Sequence, residues 1–223
     1  ADWRGFMDLY TPDGAGTTLQ CQALRARIAL GEKLDFHDDV EPLWLSAKPL
    51  PDDCDAAVAW ARSREKLTPA LIWRRIDLAA DANEAGLIDA LAAMLDGGAR
   101  NDAQRIAAAI RDPAGALDKA AAWADDARAR QAAAVAFAGL ARRDSDSAES
   151  AWTRLSAHFH FDAGQRGGIE RAIAIYRASS YAPDALRRLI ALPAAADDDT
   201  SREWRVRMAV AAQDWKAALA ALD

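Results

Sequence analysis

Alanine is the feature that most restricts the fold of this chain. It dominates the composition, and leucine, isoleucine and other apolar residues recur among it at intervals of three and four positions. Alanine has the highest intrinsic helix propensity, and this spacing gathers apolar side chains on one helix face. Aromatic residues make up only 7% of the chain, and runs of valine, isoleucine and threonine are absent. The sequence therefore predicts an all-α protein.

Start and stop signals divide the chain into about fourteen short helices. The clearest predicted units are Thr17–Leu30, Asp53–Arg62, Pro69–Ala80, Glu84–Leu95, Asp102–Ile110, Ala127–Arg142, Ser147–Ala157, Gly168–Ala178, Pro183–Leu192 and Arg202–Ala212. Their linkers are brief and polar, so successive helices must stack as antiparallel neighbours. A long row of such helices forms a superhelix, or solenoid.

A faint internal repeat supports this architecture. Asp2-Trp3-Arg4 begins the first helix and Asp214-Trp215-Lys216 begins the last, each followed by an apolar stripe. The arrangement is tetratricopeptide-like, but the tetratricopeptide signature is not met, so only the architecture is predicted. We expect residues 1–223 to form one scaffold domain. Because both Asp2–Phe6 and Ala217–Leu222 are helix-like, we expect this domain to be a fragment of a longer chain.

Charge and hydrophobicity exclude two classes of protein. The net charge is −6 and the pI is about 5.1, which opposes nucleic-acid binding because phosphate contacts need clustered lysine and arginine. The pairs Arg74-Arg75, Arg142-Arg143 and Arg187-Arg188 are isolated among acids. They indicate solvated helix faces, or contacts to an acidic or polyol ligand. No apolar run approaches the roughly 20 residues of a transmembrane helix, so no transmembrane segment is predicted.

Cys21 and Cys54 are the two cysteines of the chain. A bridge between them would clamp neighbouring helical hairpins and imply an oxidising compartment. In the chain-entropy model a loop of this length contributes about 3 to 4 kcal/mol. The alternative is a pair of buried thiols that act as small hydrophobic residues. The spacing alone leaves both readings open.

Eight tryptophans are many for a core of small residues. Six of them lie on apolar helix faces: Trp44, Trp60, Trp73, Trp123, Trp152 and Trp204. We expect their wide rings to fill the gaps that alanines leave between helices. In the alternative reading, one or two of these rings are platforms on which sugars stack.

The remaining motifs do not indicate a metal or cofactor site. His158 and His160 are two residues apart, so on a helix they point to different faces and do not converge on one ion. His37-Asp38-Asp39 is typical of a helix start. Gly164–Gly168 lacks the residues that complete a phosphate loop, and we read it as a loop that opens a helix. Asp197–Ser201 reads as a solvated connection whose acids favour the next helix N-terminus. No nucleophile motif is present, and no cofactor is predicted.

Two blocks of the sequence resemble the bacterial soluble lytic murein transglycosylase family. The first comprises Asp2-Trp3-Arg4-Gly5, Gly16-Thr17-Thr18, Gln20-Cys21, Leu43-Trp44-Leu45, Lys48 and Cys54-Asp55. The second comprises Arg130–Ala138 and Ala141-Arg142-Arg143-Asp144. The blocks agree with the family in order and spacing over most of the chain. The alanine-rich matches are weak one by one, whereas the block with two cysteines is fairly specific.

This resemblance implies a location and a role. Members of the family are periplasmic enzymes that cleave peptidoglycan glycan strands and leave an anhydro-muramoyl end. A periplasmic relative would hold Cys21 and Cys54 as a disulfide. The matching region in the family is a non-catalytic superhelix with a lysozyme-like catalytic domain on its C-terminal side. The implied partners are therefore peptidoglycan glycan strands and the C-terminal catalytic domain of the parent chain.

Glu149-Ser150-Ala151-Trp152 reproduces the family's catalytic tetrapeptide, whose glutamate is the general acid. The two later catalytic motifs of the family, Gly-Leu-Met-Gln and Ala-Tyr-Asn-Ala-Gly, are absent from this chain. We expect Glu149 in the solvated first turn of a helix, where a carboxylate is ordinary and a raised pKa is not. We therefore reject Glu149 as a decoy and predict no catalytic residue.

The sequence thus predicts a periplasmic scaffold segment that positions the catalytic domain and the substrate without turnover of its own. The alternative is a tetratricopeptide-like module that binds a protein or a peptide. A third reading, an independent enzyme, requires a deep pocket with a shifted carboxylate, and nothing in the spacing demands one.

Overall fold

The computed structural model describes residues 1–221, and over these residues every regular element is a helix. Its α-helices are α1 (Trp3–Leu9), α2 (Thr17–Ala29), α3 (Glu41–Trp44), α4 (Asp55–Ser63), α5 (Pro69–Asp81), α6 (Ala85–Ala92), α7 (Gly97–Arg111), α8 (Pro113–Ala120), α9 (Ala127–Arg143), α10 (Ser145–Leu155), α11 (Ala163–Ser179), α12 (Ala185–Ile190), α13 (Asp199–Ala211) and α14 (Trp215–Ala220). A π-helical turn spans Phe36–Val40, and two 3₁₀ turns span Asp52–Cys54 and Ala194–Ala196. The predicted class, an all-α solenoid of about fourteen short helices, is confirmed. Leu222, the last residue of the predicted C-terminal stripe, lies outside the described residues.

Aspartates begin many of these helices. In seven of them an N-cap aspartate side chain accepts a backbone N–H of the first turn: Asp2, Asp112, Asp126, Asp144, Asp162, Asp198 and Asp214. Such a cap satisfies an N–H that the helix itself leaves unpaired and stabilises the helix by about 1 kcal/mol. The Asp-Trp repeat noted in the sequence therefore corresponds to the same cap at α1 and α14.

Several helices share one type of C-terminal ending that the sequence does not indicate. After α4, α5, α11 and α13 the chain turns through a non-glycine residue with φ between 53° and 59°: Glu65, Asn83, Tyr181 and Gln213. In each case the next residue donates its N–H to a carbonyl in the last turn, as Ala182 does to Arg177 at 2.9 Å. This closure normally uses glycine, because a side chain is strained in the left-handed region.

The chain divides into two compact units, which we call the N-terminal unit (Ala1–Ala103) and the C-terminal unit (Gln104–Asp223). In the N-terminal unit α2 packs against α1, α4 and the Asp52–Cys54 turn, and α5 packs against α6. Its fully buried side chains include Cys21, Ile76 and Ile88. The expectation of one scaffold domain over residues 1–223 stays a prediction.

In the C-terminal unit α9 is the central helix, and α8, α10 and α11 all pack against it. Gly139 of α9 lies next to the start of α8, and a Cβ on it would be in van der Waals contact with Cβ of Pro113 at 3.4 Å. Further along the chain, α11, α12 and α13 share a second cluster built on Ala178, Leu189 and Met208.

The expectation of a loop at Gly164–Gly168 is wrong, because these residues lie inside α11. Asp162 and Gln165 form a reciprocal capping box that starts the helix at Ala163, five residues before the predicted start. The glycine at 167 has a packing role. A Cβ there would lie 2.9 Å from Cβ of Ala196, so the side chain is absent where the Ala194–Ala196 turn crosses α11.

Candidate functional site

The structure forms a disulfide between Cys21 and Cys54 in the N-terminal unit. The sulfur atoms lie 2.00 Å apart and the Cα atoms 4.7 Å apart. Cys21 is in the middle of α2, and Cys54 ends the 3₁₀ turn that leads into α4. Beside the bridge, Gln22 Nε2 donates to Asp53 Oδ1 at 3.1 Å. The bond therefore ties α2 to the start of α4 and closes a loop that contains the Trp44 segment.

Trp44 is almost completely buried inside this loop, with 3% of its surface exposed. The guanidinium carbon of Arg75 in α5 lies 4.4 Å from the centroid of its ring. Arg75 also donates from Nε to the carbonyl of Ser46 at 3.2 Å and from Nη2 to the carbonyl of Lys48 at 3.3 Å. Arg75 thus fastens the turn that follows Trp44.

Our reading of Arg74-Arg75 as a solvated face is wrong for Arg75. Arg74 is exposed and pairs with Glu41 at 2.7 Å, whereas Arg75 is only 4% exposed. Burial lowers the pKa of Arg75 from its usual value to about 10. Arg75 makes no ion pair with any of the carboxylates that the structure describes. The neighbouring Trp44 Nε1 is also buried, and it has no hydrogen-bond partner.

A pocket of about 720 Å³ opens beside these two side chains. Its walls are largely apolar, and Trp44 and Arg75 belong to its lining. Small-molecule sites typically combine this size with apolar walls and a few polar groups. This pocket is the strongest candidate binding site in the N-terminal unit. The sequence marked Trp44 and the Arg74-Arg75 pair, but it did not indicate that Trp44 and Arg75 meet at a pocket.

Glu149 lies in the C-terminal unit, and its surroundings differ from those we expected. It is past the first turn of α10, and its side chain is 21% exposed rather than fully solvated. Arg188 of α12 donates to Oε1, and Oε2 is buried without a partner. Arg188 and Glu149 are 39 residues apart in sequence, so this contact depends on tertiary packing.

An ion-pair network surrounds this glutamate. Asp184 accepts from Arg188 Nε at 2.7 Å and from Arg177 Nε at 2.8 Å, and Arg177 also donates to Asp146. Burial acts to raise the pKa of Asp184, but the hydrogen bonds from Arg177 and Arg188 outweigh it, so the pKa lies below its usual value. Glu149 is thus part of a cross-helix network, and it is not among the residues that line the adjacent pocket of about 210 Å³.

The histidines have structural partners. His158 Nε2 lies 3.1 Å from the carbonyl oxygen of Trp123, and His160 Nδ1 contacts Asp125 Oδ2. Hydrogen bonds from His160, followed by Arg130, lower the pKa of Asp125 to about 2. His37 lies in the Phe36–Val40 turn, which Asp35 caps. Over residues 1–221 no group of three or more His, Cys, Asp or Glu side chains is arranged to hold a metal ion.

Arginine side chains lie over the rings of six tryptophans, and the sequence did not predict this pattern. A guanidinium carbon lies between 4.4 and 5.5 Å from the ring centroids of Trp3, Trp44, Trp60, Trp123, Trp152 and Trp204. Two of these pairs, Trp60–Arg64 and Trp204–Arg207, are four and three residues apart on one helix and could have been found from spacing. Trp44 and Trp152 are buried as expected. In each of these pairs the arginine covers one face of the ring.

The acidic segment at Asp197–Ser201 is a folded cap rather than a solvated connection. Asp198 and Ser201 form a capping box at the start of α13, and Ser201 is completely buried. Asp197 accepts from Arg205 at 2.7 Å. Burial of Asp197 opposes the effect of Ser201 and Arg205, but their hydrogen bonds prevail and its pKa is lowered.

Comparisons with known proteins give two different matches. A family model described as Cucumovirus coat protein matches residues 12–114, which is fewer than half of the chain. The soluble lytic murein transglycosylase of Escherichia coli (strain K12) is 32% identical over 148 residues, which make up 66% of this chain and 23% of that protein. The same enzyme of Salmonella typhimurium (strain LT2) matches with the same identity and coverage.

Solved structures support the second match. The lytic transglycosylase Slt of Pseudomonas aeruginosa, an inactive mutant, aligns over 99% of this chain and 36% of its own, with 26% identity and a TM-score of 0.79. The 70-kDa soluble lytic transglycosylase of Escherichia coli aligns over 99% of this chain and 41% of its own. Its TM-score is 0.66, and at 23% identity it shows the fold alone.

The fold and the site therefore define an all-α solenoid protein whose helices superpose on those of lytic transglycosylases. The resemblance to the soluble lytic murein transglycosylase family is confirmed, and this chain is related to those proteins. It spans about a quarter of the length of the curated relatives it matches. No helix within residues 1–221 has the length and apolar character that a membrane span requires.

Proposed function

We propose that this chain is a non-catalytic helical scaffold segment of a soluble lytic transglycosylase that acts on murein in the periplasm. It holds the catalytic domain of the parent chain and the murein strand in position, and it performs no turnover itself. The observation that carries the proposal is the alignment of 99% of this chain with 36% of the Pseudomonas aeruginosa enzyme. The printed names of the relatives supply murein as the substrate class.

The surroundings of Glu149 support the absence of turnover. This is the one residue that matches the family's catalytic motif, and its Oε1 accepts from Arg188. A general acid must present its carboxyl group to the substrate, within hydrogen-bond reach of the oxygen that it protonates. The Glu149 carboxylate instead accepts from the guanidinium of Arg188, which also donates to Asp184.

The disulfide supports the compartment. Disulfides persist in oxidising environments such as the periplasm and are rare in the cytosol. The Cys21–Cys54 bond joins two buried residues, so its sulfurs belong to the core of the N-terminal unit. This agrees with the periplasmic site of action that the murein substrate of the relatives suggests.

Sedimentation with purified murein sacculi, combined with zymography, tests the proposal. We expect the chain to pellet with sacculi and to release no soluble muropeptides. Glu149→Gln should pellet as the wild type does, and so should the matched control Glu170→Gln, whose carboxylate also pairs with an arginine on the surface of this unit.

Two results would overturn the scaffold role. The first is clearing of murein by the wild type that Glu149→Gln abolishes and Glu170→Gln retains. The second is a chain that stays in the supernatant with sacculi while it binds a defined peptide or protein, which is the behaviour of a tetratricopeptide-like module.

A further inference from the structure

The pocket beside Trp44 has the size and lining of a ligand site. At about 720 Å³ it falls within the range of small-molecule sites, which is roughly 300 to 1,000 Å³. Apolar side chains such as Val58, Leu67 and Leu91 form its walls. All of its lining residues belong to the N-terminal unit, so the site is complete within that unit.

Two polar groups in this lining lack the partners that burial normally requires. Arg75 is 96% shielded from solvent and bonds only to the carbonyls of Ser46 and Lys48, with no described carboxylate in ion-pair distance. Trp44 Nε1 is buried and donates to nothing. A buried cation without a counter-charge and a buried N–H without an acceptor each cost free energy. A ligand that supplies an anionic acceptor removes both costs.

The geometry also selects the kind of acceptor. The guanidinium of Arg75 covers the ring of Trp44 at 4.4 Å, so this ring is not a platform for a stacked sugar. A guanidinium is instead matched in shape to a carboxylate, with which it forms two parallel hydrogen bonds. The apolar walls favour small aliphatic groups next to that carboxylate.

The outer lining adds a second polar element. Asp55 and Glu65 are both exposed and both line the pocket. They repel a polyanion but accept hydrogen bonds from amide or ammonium groups. Arg62 is a further exposed charged residue of the lining. A ligand with a carboxylate at one end, methyl-sized side chains in the middle and N–H groups at the other end matches Arg75, the apolar walls and the two acidic residues.

We propose that the pocket beside Trp44 and Arg75 binds the carboxylate end of a short alanine-type peptide, the chemistry presented by the peptide stems of murein. The choice of murein as the source of the peptide rests on the proposed function. The carboxylate bonds to the Arg75 guanidinium and to Trp44 Nε1, and the peptide N–H groups face Asp55 and Glu65. The scaffold then recognises stems as well as positioning strands.

Titration with diacetyl-L-Lys-D-Ala-D-Ala, followed by NMR and calorimetry, tests the proposal. We expect saturable binding to the wild-type chain and at least tenfold weaker binding of the C-terminal amide of the same peptide. Trp44→Phe keeps the ring but removes the Nε1 donor, so it should weaken binding several-fold. Ala90→Trp places a large ring in the pocket from α6, leaves both donor residues unsubstituted and should abolish binding. Ala59→Trp, at an exposed position of α4 that does not line the pocket, is the matched control and should bind normally.

The proposal is overturned if the acid and the amide bind equally, if Ala90→Trp binds as well as Ala59→Trp, or if no peptide binds at millimolar concentration. Equal or tighter binding of the L-Ala-L-Ala peptide overturns the assignment to murein. Circular dichroism of each variant confirms that it is folded. Sedimentation with sacculi separates the two proposals. If wild type and Ala90→Trp pellet equally, the scaffold role is retained and the stem-binding site is rejected.

Discussion

The two units of this chain are built from the same short helices but are locked by different means. In the N-terminal unit a disulfide joins α2 to the start of α4, and a buried arginine fastens the intervening loop. The described part of the C-terminal unit contains no cysteine. There Arg177, Asp184 and Arg188 link α11 and α12, and two of these residues reach α10 through Asp146 and Glu149.

This difference shows that a covalent bond and a charge network can serve the same need. Helices of 6 to 17 residues in the C-terminal unit are too short to be stable alone, so cross-helix contacts must hold them. A disulfide acts chiefly on the unfolded chain and is insensitive to pH. A network of carboxylates and guanidiniums acts on the folded chain and depends on the charge of its aspartates. The N-terminal unit should therefore be sensitive to reducing agents, and the C-terminal unit to low pH.

Loss of the disulfide should have the largest effect. The double variant Cys21→Ala/Cys54→Ala frees a loop with a sequence separation of 33 residues. We expect it to lower the free energy of unfolding by about 3 to 4 kcal/mol in urea titrations. Hydrogen exchange should show the loss of protection in residues of the N-terminal unit. Dithiothreitol should destabilise the wild type but leave the double variant unchanged, and equal sensitivity of both would contradict the prediction.

Two adjacent glycines of α11 should respond in opposite directions. Gly167→Ala places a methyl group 2.9 Å from Cβ of Ala196, so the Ala194–Ala196 turn must move. We expect Gly167→Ala to lower the free energy of unfolding by about 1 to 3 kcal/mol, as at other overpacked sites. Gly168→Ala meets no atom within 4 Å and should gain up to about 1 kcal/mol from helix propensity. Thermal unfolding measures both, and a stable Gly167→Ala would show that the turn is not packed as described.

Asp184→Asn should weaken the C-terminal network. The amide keeps the shape of the side chain but removes the charge that serves both Arg177 and Arg188. We expect the free energy of unfolding to fall by roughly 1 to 2 kcal/mol, because hydrogen bonds to charged groups are stronger than those between neutral groups. Asp146→Asn is the matched control. Its side chain is 86% exposed, and such pairs contribute little, so its unfolding should change by less than about 0.5 kcal/mol.

The ion pairs of the C-terminal unit should weaken in acid. The pKa values of Asp184 and Asp197 are lowered in the folded chain, so the unfolded chain binds protons first as the pH falls. Their contribution is complete above the unfolded pKa of about 4 and is lost as the pH falls below it through the folded values. Urea titrations between pH 6 and pH 2.5 should show a steeper loss for wild type than for Asp184→Asn. Parallel curves would mean that Asp184 is not held as an ion.

Glycine substitutions at two helix ends should have the smallest effect. Tyr181, which follows α11, has a φ of 55°, and Asn83, which follows α5, has a φ of 59°. Tyrosine is strained in this region, whereas asparagine tolerates it. Tyr181→Gly should therefore raise the free energy of unfolding by up to about 1 kcal/mol, and Asn83→Gly by less. An equal or larger gain at Asn83 would show that the backbone angle does not set the difference.

Much of the fold was predictable from the sequence because helix formation here is local. Alanine content, apolar spacing and aspartate caps are read within four residues, and they placed helices such as α5 and α9 within two residues of their observed ends. The α11 error has a local and a distant part. The capping box of Asp162 and Gln165 was a local signal that the prediction did not use. The packing role of Gly167 depends on Ala196, which is 29 residues away in sequence.

The site was less predictable for the same reason. The sequence marked Cys21, Cys54 and the Leu43–Leu45 segment, and the family resemblance implied the bond between the cysteines. The burial of Arg75 against Trp44 depends on how α5 packs over a loop about 30 residues earlier in the chain, and no local pattern separates Arg75 from the exposed Arg74.

The sequence by itself determined that this protein is a row of short helices, that many of those helices begin at aspartates, and that it resembles lytic transglycosylases. Only the tertiary structure decided which charges are buried and what they meet. Helix propensity and capping act through neighbours in the chain, whereas the burial of Arg75 and the ion pair of Glu149 with Arg188 arise when distant helices pack together.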